Sequence, residues 1–320
     1  MALLMDRLQK ILLSSLIILA NGGILILSLS WLGGPPLREE IYDIFESEVI
    51  EIRVEESSTR AVLPSEEKKT LPASISLPQE DAQPAELAPT PLPETLIYDQ
   101  GLKSSVNLLC KGGPSEYVVA TGAIIDSRGY LISNAHVAEG VDAKEPCTIR
   151  RGSPAQPFRE ATLIYTPISY KNATSEEEKA RSDFSIWKIN EPGEYPVWEL
   201  EYEKSFFKNE LLLTLAYPAE LLGNELVFKS LNLIFSKTYV EATDTVIIRS
   251  TANISSQRGS SGGVLIDPYT MRIRGLIFAV SENTNIAERE IFSLTPKGIN
   301  EIMQKETGKT LKEYLAGFSS

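Results

Sequence analysis

The sequence predicts an all-β domain, built as barrels or a sandwich, behind an apolar N-terminal segment and a proline-rich tether. Three observations carry that expectation. Between Thr95 and Ser293, about a dozen short runs of β-forming residues recur, separated by turns containing Gly, Pro and Asp. Residues 11–32 form 22 consecutive positions without a charged side chain, enough to cross a bilayer core as a helix. Seven prolines fall from Pro64 to Pro93 among Ser, Ala, Thr, Gln and Glu, a composition too poor in large apolar groups to offset chain entropy.

The N-terminal elements set the expected address. Arg7 and Lys10 precede the apolar run, and Glu39, Glu40, Asp43, Glu46 and Glu48 follow it. Basic flanks stay cytoplasmic, so residues 1–10 are expected inside, 11–32 as an uncleaved transmembrane anchor, and the remainder exported, in a bacterial periplasm or at a cell surface. The run is longer than a signal-peptide core, and no A-x-A cleavage site lies near Leu32. Residues 33–96 read as an acidic, disordered linker. Within it, Leu37, Ile41, Ile44, Phe45, Val49 and Ile52 recur at roughly helical spacing and permit a short amphipathic helix.

The charge is concentrated in the same region. The chain of 320 residues carries −12, and residues 33–100 alone hold 15 acidic against 5 basic side chains, leaving about −2 elsewhere. An acidic chain with no basic stripe is a poor ligand for nucleic acid, and no such partner is expected. Nothing in the sequence sets an oligomeric state. Cys110 and Cys147 are the only cysteines. They exclude a zinc-finger spacing and are compatible with one disulfide or with two buried thiols.

In chain order the expected strands are Val106–Cys110, Tyr117–Ile125, Tyr130–Ser133, Cys147–Arg150, Ala161–Tyr165 and Phe184–Ile189. A second set follows: Leu211–Ala216, Leu226–Ser236, Thr245–Arg249, Gly263–Ile266, Arg274–Val280 and Glu290–Leu294. A helix is expected from Pro296, which suits a first turn, with Ile299, Ile302 and Met303 on one face.

Three features carry chemistry. The one histidine, His136, lies in GAIIDSRGYLISNAHVAEG. A lone histidine is more often structural than catalytic, but it excludes a multi-histidine zinc site, and it is the natural acid–base group near neutral pH. Downstream, QRGSSGGVLID places Ser261 between Gly259 and the Gly262-Gly263 pair. Such glycines permit a tight turn whose backbone N–H groups face a developing oxyanion, although a plain Gly/Ser loop reads the same way. In RSDFSIWKI, Asp183 opens an alternating strand. It serves either as a solvated strand-end charge or as the carboxylate that orients His136.

Taken together, SNAHV, DFSIWKI and GSSGG resemble the trypsin-like (chymotrypsin-fold) serine peptidases, in particular the bacterial HtrA/DegP-like branch, over residues 104–303. The resemblance implies two six-stranded antiparallel β-barrels in residues 97–320, with the site in the cleft between them. It implies His136 as general base, Asp183 as its orienting carboxylate and Ser261 as nucleophile. The backbone N–H groups of Gly259 and Ser261 would then form the oxyanion hole. Two departures, Ser260 for the usual Asn and Ser133 for Thr, touch no triad role. The stretch from Asn253 to Gly259 does not follow the family pattern, and the short remainder after Thr295 leaves no room for the PDZ domain many relatives carry.

The implied activity is a membrane-anchored serine endopeptidase acting on polypeptide substrates, with no metal or organic cofactor. Ser255, Ala279 and Ser281 are expected in the specificity pocket. No acidic residue lies in those stretches, which argues against strong Lys or Arg preference. A catalytically inactive, peptide-binding barrel and a purely structural tethered β-domain stay open beside it. In the barrel the resemblance implies, the first and fourth strands are neighbours, which would bring Cys110 and Cys147 within disulfide reach.

Overall fold

The computed structural model describes residues 17–20, 23–26 and 89–318, apart from 114–115, 142–144 and 282. The first described elements differ from the helix expected over residues 11–32. Instead of a helix through 11–32, β1 (Ile17–Ala20) and β2 (Gly23–Ile26) pair antiparallel, with Ile17 opposite Ile26 and Ala20 opposite Gly23. The two residues between them read Asn-Gly, the dipeptide that favours a tight hairpin turn, and the paired segments carry β-branched isoleucines. No helix among the described residues is long and apolar enough to cross a membrane. The expected linker lies largely outside the described residues, including the amphipathic stretch from Leu37 to Ile52.

From residue 89 onward the chain is ordered around two closed barrels. A helix not expected from the sequence, α1 (Glu94–Ser104), leads in. It buries Ile97, and at Gly101 it lies so close to the second barrel that a Cβ there would stand 2.9 Å from Leu215. The tether therefore ends before Leu96: Leu92 already donates its N–H to the carbonyl of Pro268 at 2.8 Å.

The first barrel contains β3 (Ser105–Lys111), β4 (Tyr117–Asp126), β5 (Tyr130–Ser133), β6 (Cys147–Arg151), β7 (Gln156–Tyr165) and β8 (Ser185–Ile189), closed in the order β3-β4-β5-β8-β7-β6. Its interior holds Val106, Leu108, Ile124, Leu131, Ile149 and Trp187, all at or near zero exposure. Burying each of these large side chains contributes on the order of 1.5–3 kcal/mol. The second barrel contains β9 (Leu211–Ala216), β10 (Ile234–Thr243), β11 (Ile247–Ser250), β12 (Val264–Ile266), β13 (Ile273–Val280) and β14 (Ile291–Leu294). It closes as β9-β10-β11-β14-β13-β12, the same order as the first. All pairings in both barrels are antiparallel. This architecture is consistent with a chymotrypsin-like fold.

Cys110 and Cys147 are bonded, with Cα atoms 4.3 Å apart. The register explains it: β3 and β6 pair Asn107 with Arg150 and Leu109 with Thr148, so the next step of the ladder sets the two cysteines opposite each other.

Short helices fill the connections: α2 (Ala135–Glu139), α3 (Ile168–Lys171), α4 (Glu176–Arg181) and α5 (Asn224–Lys229). The last is a correction, because Leu226–Ser236 was expected as one strand. Instead α5 occupies its first part, and β10 begins only at Ile234. The buried guanidinium of Arg150 donates to the carbonyls of Val227 and Phe228 at 2.8 and 3.2 Å, satisfying the end of that helix. The expected C-terminal helix is present as α6 (Pro296–Thr307), with the Thr295 hydroxyl accepting from Gly298 N–H and Ile299 and Met303 buried. A further short helix, α7 (Leu311–Ala316), starts at a reciprocal Thr310–Glu313 cap.

Candidate active site

His136 enters α2 directly after β5, and Asp183 stands one residue before Phe184 and two before β8, the neighbour of β5 in the barrel. Strand pairing therefore delivers the two side chains to one barrel rim. Asp183 Oδ2 lies 2.6 Å from His136 Nδ1, and Oδ1 accepts the backbone N–H of His136 at 2.9 Å. The carboxylate is nearly buried and the imidazole is partly open, at 7 % and 39 % side-chain exposure. With the carboxylate ionised and the imidazole neutral, Nδ1 donates and Nε2 presents a lone pair. Asn134 supports the arrangement. Its Nδ2 donates to the carbonyl of Asp183 at 2.8 Å, and its own carbonyl accepts from the Ser185 hydroxyl at 2.7 Å.

Ser261 lies on the loop before β12, and that loop is fixed carbonyl by carbonyl. The carbonyl of Arg258 accepts from Ala219 N–H at 2.8 Å, and that of Gly259 from the Thr121 hydroxyl at 2.9 Å. Those of Ser260 and Ser261 accept from Gly263 N–H at 2.7 Å and Thr121 N–H at 2.8 Å. In a trans peptide the N–H points opposite the preceding carbonyl. The amides of Gly259 and Ser261 are thereby turned away from these anchors, and neither donates to an acceptor among the described residues. Two unengaged N–H groups flanking a serine have the chemistry of an oxyanion hole.

Glycine is required at two points of this loop. Gly259 has φ +92°, and a Cβ there would stand 2.8 Å from Tyr217 O. Gly262 has φ +83°, and its Cβ would fall 1.9 Å from Thr121 O and 2.4 Å from the Ser133 hydroxyl. The second contact sets the serine loop against the end of β5, three residues before His136. The hydroxyl of Ser261 forms no hydrogen bond among the described residues.

A cleft of about 530 Å³ opens beside His136 and Asp183, lined also by Tyr170, Glu176, Lys179, Ala180 and Glu139 on one side and Phe278 and Ala279 on the other. Burial, together with its hydrogen bond to Glu139, pushes the Tyr170 phenol above its ordinary range, so it stays a neutral donor. Of the three residues expected in the specificity pocket, only Ala279 lines this cleft. Ser255 is fully buried, its hydroxyl 3.1 Å from that of Thr214, and the Ser281 hydroxyl is occupied by Glu290 N–H at 2.8 Å. The buried Ser255 follows from Asn253, whose side chain accepts from Ser255 N–H and donates to the Lys237 carbonyl, folding the segment inward.

Sequence reasoning missed Tyr170, Glu176, Lys179 and Ala180, because they sit on the connection between β7 and β8, which has no motif of its own. It also missed Thr121, whose signal was a polar residue within an otherwise apolar strand. No cluster of three or more His, Cys, Asp or Glu that could hold a metal occurs among the described residues. No protein-family model matches the chain, and no curated protein matches it.

Proposed function

We propose that this chain is a serine endopeptidase working outside the reducing cytosol. The observation that carries the reading is the pairing of a His136–Asp183 hydrogen-bonded couple with a glycine-bound serine loop whose Gly259 and Ser261 amides are unengaged. A buried carboxylate on Nδ1, an acceptor lone pair on Nε2 and oriented backbone donors are the parts that acyl transfer requires. The bond between Cys110 and Cys147, together with the charge asymmetry around residues 11–32, supports an extracytoplasmic address.

In this reading, Ser261 Oγ attacks the scissile carbonyl carbon while His136 Nε2 takes the hydroxyl proton. The carbonyl oxygen becomes an anion held by the amides of Gly259 and Ser261. Collapse breaks the C–N bond, with His136 returning the proton to the leaving amine. Water then attacks the ester, again giving its proton to His136, and Ser261 leaves as the hydroxyl. The cleft lined by Tyr170, Phe278 and Ala279 takes substrate side chains beside the reacting centre.

The test is cleavage of an unfolded polypeptide, such as reduced casein, by the full chain. Ser261→Ala should abolish it, His136→Ala should reduce it by several orders of magnitude, and EDTA should leave it unchanged. Cleavage that survives Ser261→Ala and stops with EDTA would move the protein to another class.

A further inference from the structure

The geometry points to Glu220 and Arg289 as positioning residues for the oxyanion hole. The inference rests on the serine-peptidase reading and adds two side chains which that reading does not use. Glu220 lies in the connection between β9 and α5, and its Oε2 accepts the backbone N–H of Arg258, the residue before Gly259, at 3.0 Å. The same carboxylate receives both Nη atoms of Arg289, at 2.6 Å on Oε2 and 3.0 Å on Oε1. Arg289 in turn reaches the Ser256 carbonyl at 3.2 Å and the Asn283 carbonyl through Nε.

Three separate segments therefore meet on one ion pair. The first is the 217–223 connection, the second is the nucleophile loop at Ser256 and Arg258, and the third is the loop between β13 and β14. A two-pronged guanidinium–carboxylate contact is directional, so it fixes orientation as well as distance. Here it is also shielded, at 12 % side-chain exposure for Arg289 and 26 % for Glu220. The bond to Arg289 is the main cause holding the Glu220 carboxyl below its ordinary range, so at neutral pH it stays an acceptor.

The pair and its neighbour Ala219 grip Arg258 on both sides, at the N–H of the 257–258 peptide and at the carbonyl of the 258–259 peptide. Glu220 takes the N–H of Arg258, and the adjacent Ala219 N–H takes its carbonyl at 2.8 Å. With that carbonyl held toward Ala219, the amide of Gly259 points the other way and is free. Rotation of the 258–259 plane would put a carbonyl oxygen where the donor stood, turning an anion-stabilising pocket into an anion-repelling one. Gly259, at φ +92°, is the residue at which such a rotation meets least resistance. A surface ion pair with no backbone amide on it would hold the fold and leave the chemistry untouched; this one grips the peptide just before the one that supplies the hole, and with Ala219 fixes Arg258 between them.

The test is the saturation kinetics of a fluorophosphonate probe on the detergent-extracted full chain, with the maximal inactivation rate separated from the probe's binding constant. Removing one oxyanion donor from such a site lowers the chemical step by about 10²–10³. Glu220→Ala should therefore slow maximal inactivation by about 10- to 100-fold, with binding within about threefold of the parent. Arg289→Lys, which keeps the charge and loses the fork, should give a smaller loss in the same parameter, and it carries the test if Glu220→Ala fails to fold. The exchanged pair E220R/R289E restores an ion pair without restoring an acceptor for Arg258 N–H, so it should recover melting temperature and stay slow. Parent labelled on Ser261 with Glu220→Ala or the exchanged pair reacting at the parental rate overturns this inference alone. A parent protein that is not labelled on Ser261 overturns the serine-peptidase reading, and this inference with it.

Discussion

Replacing both Cys110 and Cys147 by alanine isolates the contribution of the one disulfide. The bond closes a loop of sequence separation 37. On the chain-entropy relation, opening that loop returns about 13 cal/mol/K to the unfolded chain, or about 4 kcal/mol at 25 °C. Both cysteines are about 1 % exposed, so the alanines also forfeit some sulfur packing inside the first barrel. For a domain of this size about 1 kcal/mol shifts the midpoint by about 2–4 °C, which puts the expected fall near 8–15 °C. The register of β3 against β6 is set by Asn107–Arg150 and Leu109–Thr148 as well as by the bond, so the fold should survive at low temperature. Thermal denaturation followed by far-UV circular dichroism on the full chain, parent against C110A/C147A, reads the shift. A midpoint within 2 °C of the parent, or two free thiols in non-reducing mass mapping of the parent, would refute the reasoning.

Asp183→Asn should lower kcat/KM for peptide cleavage by about four orders of magnitude, because an amide at 2.6 Å from Nδ1 favours the wrong imidazole tautomer; unchanged kinetics would remove Asp183 from the site. Gly262→Ala should give insoluble or unfolded protein, since its Cβ would overlap Thr121 O at 1.9 Å; a soluble variant with the parental melting temperature would contradict the loop geometry. Glu306 anchors the cleft-lining connection from α6, accepting from the Tyr165 hydroxyl and the N–H groups of Ile168 and Ser169 at 2.7–2.8 Å. Burial alone would raise its pKa, but these bonds together hold it below the ordinary glutamate value. A depressed carboxyl stabilises the fold above its unfolded pKa and loses that contribution as pH falls through the folded one. Denaturant titrations from neutral to acid pH should show a decline in the acid range that Glu306→Gln flattens, and an identical pH profile in the variant would be evidence against the anchor.

Much of the fold was legible because barrel strands here are short runs of β-forming residues bounded by turns. Tyr130–Ser133 and Leu211–Ala216 end where their apolar runs end. Other boundaries were hidden for physical reasons. β7 begins at Gln156, with Pro157, Arg159 and Glu160 largely exposed, so Phe158 alone gives its first half an apolar signal. α5 is stabilised by Arg150 from another strand, and α1 by burial of Ile97, neither of which local sequence reveals. Paired strands stand at 17–20 and 23–26 where a helix was expected, because the β-branched isoleucines there suit a strand as well as length and hydropathy suit a helix. In the candidate site, the His136–Asp183 contact and the tight turn at Gly259–Gly262 were legible because their motifs carry those residue types in those settings. Thr121, Glu220 and Arg289 were not, because they act by holding backbone from distant parts of the chain. The buried place of Ser255 was likewise invisible, since it depends on Asn253 reaching across to Lys237.

The central claim is that Ser261 is a nucleophile activated by His136, and stoichiometric modification tests it most directly. A fluorophosphonate reacts by forming a bond from Ser261 Oγ to phosphorus and expelling fluoride, with the hydroxyl proton passing to His136. Intact-mass and peptide mapping of the treated full chain should show one adduct, located on Ser261, absent in Ser261→Ala and formed at least about 10³-fold more slowly in His136→Ala. An unmodified protein, or an adduct on any other residue with Ser261 untouched, would contradict the account.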